Sequence, residues 1–156
     1  MSIRSAKDRD IATIVELAEQ RRLQYQRYQP TFWRKADDAR AKQIPFLTSL
    51  LQRKDVLMLV HEDANQVDGF IVADFVAAPP VYNPGGPTCR VDDFCVAEEN
   101  LWENVGRELL NEVLRLAKEH GAAQSVVVCG HLDQPKRSML IELGYTIASE
   151  WHVRDL

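Results

Sequence analysis

Residues 104–120 constrain the fold more than any other stretch. Val105, Leu109, Val113, Leu116 and Ala117 recur at helical spacing, and Leu110 and Leu114 widen the apolar stripe. Gly121 stands where a left-handed C′ residue ends a helix. A predicted strand over 89–96 precedes this helix, and the apolar run Ser125-Val126-Val127-Val128-Cys129 follows it. That run has no polar alternation, as expected of a strand covered on both faces. Strand, amphipathic helix and strand in that order predict a parallel crossover.

The other segments predict the rest of a sheet and its helices. Ile3 opens a short strand over 2–6, and Asp8 is placed to cap a helix carrying Ile11, Ile14, Val15 and Ala18. That helix is predicted to run to Tyr28, bounded by Pro30. A second helical stretch covers 35–53, with Pro45 expected to kink or restart it. Runs 56–60 and 69–76 read as antiparallel partners around the turn Ala64-Asn65-Gln66. Pro79-Pro80 and Asn83-Pro84-Gly85-Gly86-Pro87 make a loop. Asp133 is placed to cap a last helix with Pro135 in its first turn, Gly144 closes it, and 146–153 reads as a terminal strand. The predicted order is β-α-α-β-β-β-α-β-α-β. It describes an α/β (α+β) chain, a mixed, twisted sheet flanked by helices on both faces, in a single domain over 1–156.

Composition narrows the function classes. With 46% hydrophobic and 27% charged residues among 156, the chain can bury a core and is expected to be ordered. No apolar run reaches the ~18–20 residues of a spanning helix, and Met1-Ser2-Ile3-Arg4 lacks an apolar signal region. The expected location is the cytoplasm, away from membranes. Cys89, Cys95 and Cys129 are odd in number and widely spaced, and His61, His120, His131 and His152 show no paired ligand spacing, so no metal is expected. The net charge of −4 argues against nucleic acid as a partner. The charge is uneven: 1–54 hold 12 basic and 6 acidic side chains, 55–156 hold 7 and 17. That asymmetry is a solvated surface, an attraction for a cationic small molecule, or a complement across a dimer.

The stretch Val91-Asp92-Asp93-Phe94-Cys95-Val96, followed ten residues later by Gly106-Arg107-Glu108-Leu109-Leu110, resembles the GNAT-type N-acetyltransferases. Their fourth strand commonly reads apolar-acidic-acidic-apolar-x-Val. Gly144-Tyr145 resembles the Gly-Phe ending their fourth helix, and Asp133-Gln134-Pro135 is similar to the Asn-Glu-Pro that opens it in spermidine/spermine-type members. The resemblance implies an acetyl-CoA-dependent transferase acting on a small amine, as a homodimer. It also implies a coenzyme surface made of Phe94, Cys95 and Val96 for the pantetheine arm and Leu101, Trp102, Asn104, Val105, Gly106 and Arg107 for the pyrophosphate, with Asp133 beside them. The physical basis is that a glycine loop opening a helix offers free N–H groups and a positive dipole end to phosphate.

The chain departs from that pattern. The family loop reads Gln/Arg-x-x-Gly-x-Gly/Ala, whereas this chain reads Leu101-Trp102-Glu103-Asn104-Val105-Gly106. Asn104 tolerates a left-handed turn. Alternatively, Asn100-Leu101-Trp102-Glu103 has capping-box-like spacing and starts the helix early. Glu98, Glu99 and Glu103 bring negative charge to the phosphate site. Asp92 matches the family's acidic position and is the first candidate for catalytic base. Asp93 is expected on the opposite face of the strand, towards substrate, and either carboxylate could instead pair with Arg90. Tyr25 and Tyr28, with Phe32 and Trp33, form core or one wall of the acceptor pocket. Leu140 stands where the family carries its tyrosine acid. The second reading is therefore a degenerate GNAT-fold module that binds an acyl-CoA or a protein partner without catalysis.

Overall fold

The structure, a computed structural model, describes residues 1–156. Five strands lie in chain order across one sheet: β1 (Ser2–Ser5), β2 (Val56–Asp63), β3 (Gln66–Val76), β4 (Thr88–Val96) and β5 (Gln124–Val127). The first four pair antiparallel, and β5 joins β4 parallel, as the crossover requires. Ala64 and Asn65 take positive φ (46° and 65°), which turns β2 back onto β3.

Helices α1 (Ile11–Tyr28) and α2 (Ala39–Leu50) cover one face, and α3 (Arg107–Glu119) and α4 (Gln134–Glu142) the other. Ile14, Val15, Ala18, Leu47 and Leu50 pack on Met58, Val60, Phe70, Val72 and Cys95. Leu109, Leu110, Val113, Met139 and Leu140 pack on Leu59, Ile71, Ala73, Val91 and Phe94. The two cores thus use alternate residues of the same strands, as strand periodicity dictates. Leu140, 7% exposed, is a core residue of the second. Gly121 (φ +80°) and Gly144 (φ +84°) end α3 and α4 in the left-handed conformation.

Three expectations need correction. The terminal strand over 146–153 does not form, so the sheet ends at β5. The tail runs instead to the segment after α1: Thr31 Oγ1 donates to Asp155 at 3.1 Å, and Trp151 meets Phe32 edge-on at 5.9 Å. Second, the residues before α3 are not a loop. Glu99–Leu101 form a 3-10 turn and Trp102–Gly106 a π turn, so the helix begins about a turn and a half early. Asn104 is helical and has no positive φ. Third, β4 carries a bulge. Val72 faces Asp93 and Ala73 faces Val91, leaving Asp92 unpaired, so the in-out alternation changes phase there.

Candidate functional site

The β4–β5 ladder stops at Val91 and Val127, with one further bond of 3.4 Å from the Val128 N–H to the Val91 carbonyl. Beyond it β4 continues to Val96 while the segment after β5 leaves the ladder through Cys129 and Gly130. A cavity of about 390 Å³ opens at this divergence, between α1, the segment after it, β4 and α4. Arg21, Arg22, Tyr25, Phe32, Trp33, Arg34, Lys35, Asp92, Asp93, Phe94, Val128 and Lys136 line it. A groove of about 510 Å³ near the β2–β3 turn is a weaker candidate, because its Arg4 is already hydrogen-bonded to Asp10 and Glu62.

Helix α1 delivers the basic wall. Its apolar stripe runs Ile14, Ala18, Tyr25, and Arg21 and Arg22 interrupt it at the same helical interval. Arg21 is ion-paired with Asp133, and its guanidinium lies 4.5 Å from the Tyr25 ring and 5.0 Å from the Trp102 ring. The Tyr25 hydroxyl donates to Asp133 at 2.7 Å and accepts from the Gly130 N–H at 3.0 Å. Burial pushes that phenol up to about 12, so it stays protonated. Arg22 and Lys35 hold Glu19, 2% exposed, at 3.0 and 2.9 Å. Burial alone would raise the Glu19 carboxyl, but hydrogen bonds from Lys35 and Arg22 outweigh it and keep it below the usual range.

Helix α4 delivers Lys136. It shares the inward face with Met139 and Leu140, at i+3 and i+4, and is 4% exposed. Its ammonium makes no ion pair. It has the Phe94 carbonyl at a long 3.5 Å, and lies 5.1 and 5.3 Å from the Phe94 and Trp102 rings. Burial, with Arg21 nearby, pushes the amine down to about 8. Strand β4 supplies the carboxylates. The bulge lets both adjacent aspartates line the cavity, against the expectation that they lie on opposite faces of the strand. Asp92 is exposed, whereas Asp93 is half-buried and accepts from Gln43 Nε2 at 3.0 Å. Burial raises the Asp93 carboxyl above its ordinary value, with Arg22 and Lys136 offsetting part of the effect.

The structure brings Tyr25, Asp92, Asp93 and Phe94 together and separates them from other candidates. Tyr28 packs on Tyr25 but does not reach the cavity. Cys95 is fully buried on the α1–α2 face, moved there by the change of phase at the bulge. Asp133 is fully buried beneath Tyr25 and Arg21, where it ties α4 to α1 rather than facing a coenzyme. Lys136, Arg21 and Arg22 were not singled out by the sequence, although each is a cation on the apolar stripe of a helix.

The residues present fit a coenzyme A thioester only in part. The open edge of β4 beyond Val91 suits a peptide-like arm. The segment before α3 does not fit a pyrophosphate. The Arg107 N–H is spent on the Trp102 and Asn104 carbonyls, and the Val105 N–H on Asn104 Oδ1 at 2.7 Å. Arg107 is ion-paired with Glu103 and Glu142. Gly106 lacks a side chain for a different reason from phosphate approach: a Cβ there would meet the Trp102 ring at 2.6 Å. Trp102 itself, 1% exposed, stands edge-on to Phe94 at 4.9 Å.

No family model matches the chain, and no curated protein matches it. Solved structures do. A mutant of the BH1408 protein from Bacillus halodurans is similar at a TM-score of 0.87 and 18% identity, covering 100% of this chain and 99% of that one. A predicted acetyltransferase from Clostridium acetobutylicum, solved with acetyl-CoA, gives 0.76 and 17%, over 99% and 95%. An aminoglycoside 6'-N-acetyltransferase from Acinetobacter haemolyticus gives 0.75 and 15%, over 100% and 98%. The chain has the GNAT acetyltransferase fold. In that GNAT framework the cavity lies beside the diverging strands β4 and β5. No helix is long and apolar enough to cross a membrane, and no group of three His, Cys, Asp or Glu side chains is arranged to hold a metal ion.

Proposed function

We propose that this protein transfers an acyl group from a coenzyme A thioester to the amine of a small molecule. The observation that carries this reading is the cavity at the β4–β5 divergence, which places Asp92 and Asp93 beside an open strand edge. The thioester would supply an activated acyl group. Asp93 is the better base than Asp92: it is half-buried, burial raises its carboxyl above its ordinary value, and Gln43 fixes one of its oxygens. It accepts the proton that the amine must lose for its lone pair to attack. Asp92, at the rim, draws the ammonium in. Tyr25, Phe32 and Trp33 give the cavity an aromatic wall. Leu140 holds no proton to donate, so the departing thiolate takes one from solvent or stays ionised. The three free thiols suit a cytoplasmic enzyme, and the expected homodimer would be read by sedimentation.

A second reading, a binding module without catalysis, is favoured by the helical segment before α3, where the N–H groups of Leu101, Trp102, Val105 and Arg107 are already spent. Free thiol release from acetyl-CoA in the presence of an amine panel separates the two. Transfer should be measurable, and Asp93→Asn should lower turnover about 10²–10⁴-fold, the usual worth of a general base. Thermal stabilisation by acetyl-CoA without turnover on any amine would establish the second reading instead.

A further inference from the structure

The cavity holds one buried cation and one half-buried anion that the protein leaves without charged partners. Arg21 is matched by Asp133, Arg22 and Lys35 by Glu19, and Arg34 by Asp155. Lys136 has no carboxylate, and Asp93 has Gln43 but no ion pair, Arg22 being the cation whose charge it feels most. The two sense each other's charge yet do not meet, because one is fixed by β4 and the other by α4. An ammonium buried without a carboxylate is unfavourable, because its lost hydration is not offset by an opposite charge. A ligand that supplies the missing charge recovers that cost.

We propose that the cavity binds an amino carboxylate, a free amino acid or a close analogue, with its carboxylate on Lys136 and its amine on Asp93. A purely cationic amine would satisfy Asp93 but push against Lys136. A simple carboxylic acid would satisfy Lys136 but push against Asp93. Only a molecule with both groups on one short frame answers both. Tyr25, Phe32, Trp33 and Phe94 leave an apolar, aromatic surface for its side chain. The proposal replaces the plain cationic acceptor expected from overall charge. It rests on the acyl-transfer reading only for the fate of the amine, since binding itself needs no coenzyme.

The test is thermal shift without coenzyme, using the proteinogenic amino acids at millimolar concentration beside their decarboxylated amines and their deaminated acids. At least one amino acid with an apolar side chain should raise the melting temperature while its amine and its acid do not. Lys136→Met should weaken that amino acid's affinity about tenfold or more. Asp93→Asn should weaken it too, and each variant should gain affinity for the ligand its lost charge repelled, Lys136→Met for the amine and Asp93→Asn for the acid. Equal stabilisation by the amine, no stabilisation by any amino acid, or an unchanged affinity in Lys136→Met would overturn the proposal. If a variant does not fold, the wild-type comparison of the three ligand classes decides alone. Amino-acid binding without acyl transfer would sink the proposed activity and leave this inference standing. Transfer to simple amines only would do the reverse.

Discussion

At the scale of the residue, Lys136 and Gly106 make the sharpest claims. The Lys136 amine falls from an ordinary 10.5 to about 8, chiefly through burial, with Arg21 adding and Cys129, Cys95 and Asp93 opposing. The folded protein therefore binds fewer protons than the unfolded chain between those values, so folding grows more favourable as pH rises through that window. Below pH 8 the full penalty is present. At about 1.4 kcal/mol per unit, it is on the order of 3 kcal/mol. Lys136→Met should thus be more stable than wild type at pH 7 by roughly 1–3 kcal/mol after packing adjustments, with the gap closing from pH 8 to 10.5. Urea titrations across that range check the sign. Gly106→Val should destabilise by about 1–3 kcal/mol, because its Cβ would strike Trp102 and approach Met139 Sδ at 3.4 Å. The same titration, combined with Trp102 emission, would show the ring displaced. A phosphate-contact glycine would instead lose ligand affinity with stability unchanged.

At the scale of the element, the segment before α3 and the C-terminal tail depart furthest from the sequence reading. The helix starts early because Glu98 and Glu99 sit at its positive end and Trp102, Val105 and Gly106 find buried positions against β4 and α4. The capping-box-like spacing beginning at Asn100 pointed to an early start, but no capping box forms: Asn100 lies inside the turn that begins after Glu98, and neither turn has a side-chain cap bond. The tail had alternating apolar residues suited to a strand, but β5 is only four residues long and the tail was drawn to α1's far end instead. Its attachments are exposed: one aromatic contact, the Thr31–Asp155 hydrogen bond and an Arg34–Asp155 pair at 3.7 Å. Truncation after Tyr145 should therefore lower stability by no more than about 1 kcal/mol, measured as the urea midpoint. A larger loss would show that the tail is part of the core.

At the scale of the whole molecule, the uneven charge of the sequence becomes a property of the cavity. Basic residues of α1 and the segment after it fold against Asp92, Asp93 and Asp133 from the acidic part. Because β2, β3 and β4 contribute alternate residues to both cores, neither core can open without exposing strands that the other needs. Unfolding should be one cooperative step, with far-ultraviolet circular dichroism and tryptophan emission giving coincident urea transitions. Separate midpoints would show that the α1–α2 layer melts independently. By itself the sequence determined the elements whose signal is local. The stripe of α3, the C′ glycines and the apolar run of β5 each depend on spacing within a dozen residues or so, and the crossover between β4 and β5 follows from the order of those elements. The position of Lys136 was legible only as a cation at helical spacing from Met139 and Leu140. Tertiary structure decided the rest. The bulge at Asp92 reverses which β4 residues face which core, and it arises from pairing with Val72 and Ala73, about twenty residues earlier in the chain. The pairing of Arg21 with Asp133 joins residues more than a hundred positions apart and leaves Lys136 without a counter-ion. A charge balance of that kind is set by which side chains share a closed volume, and no local pattern records it.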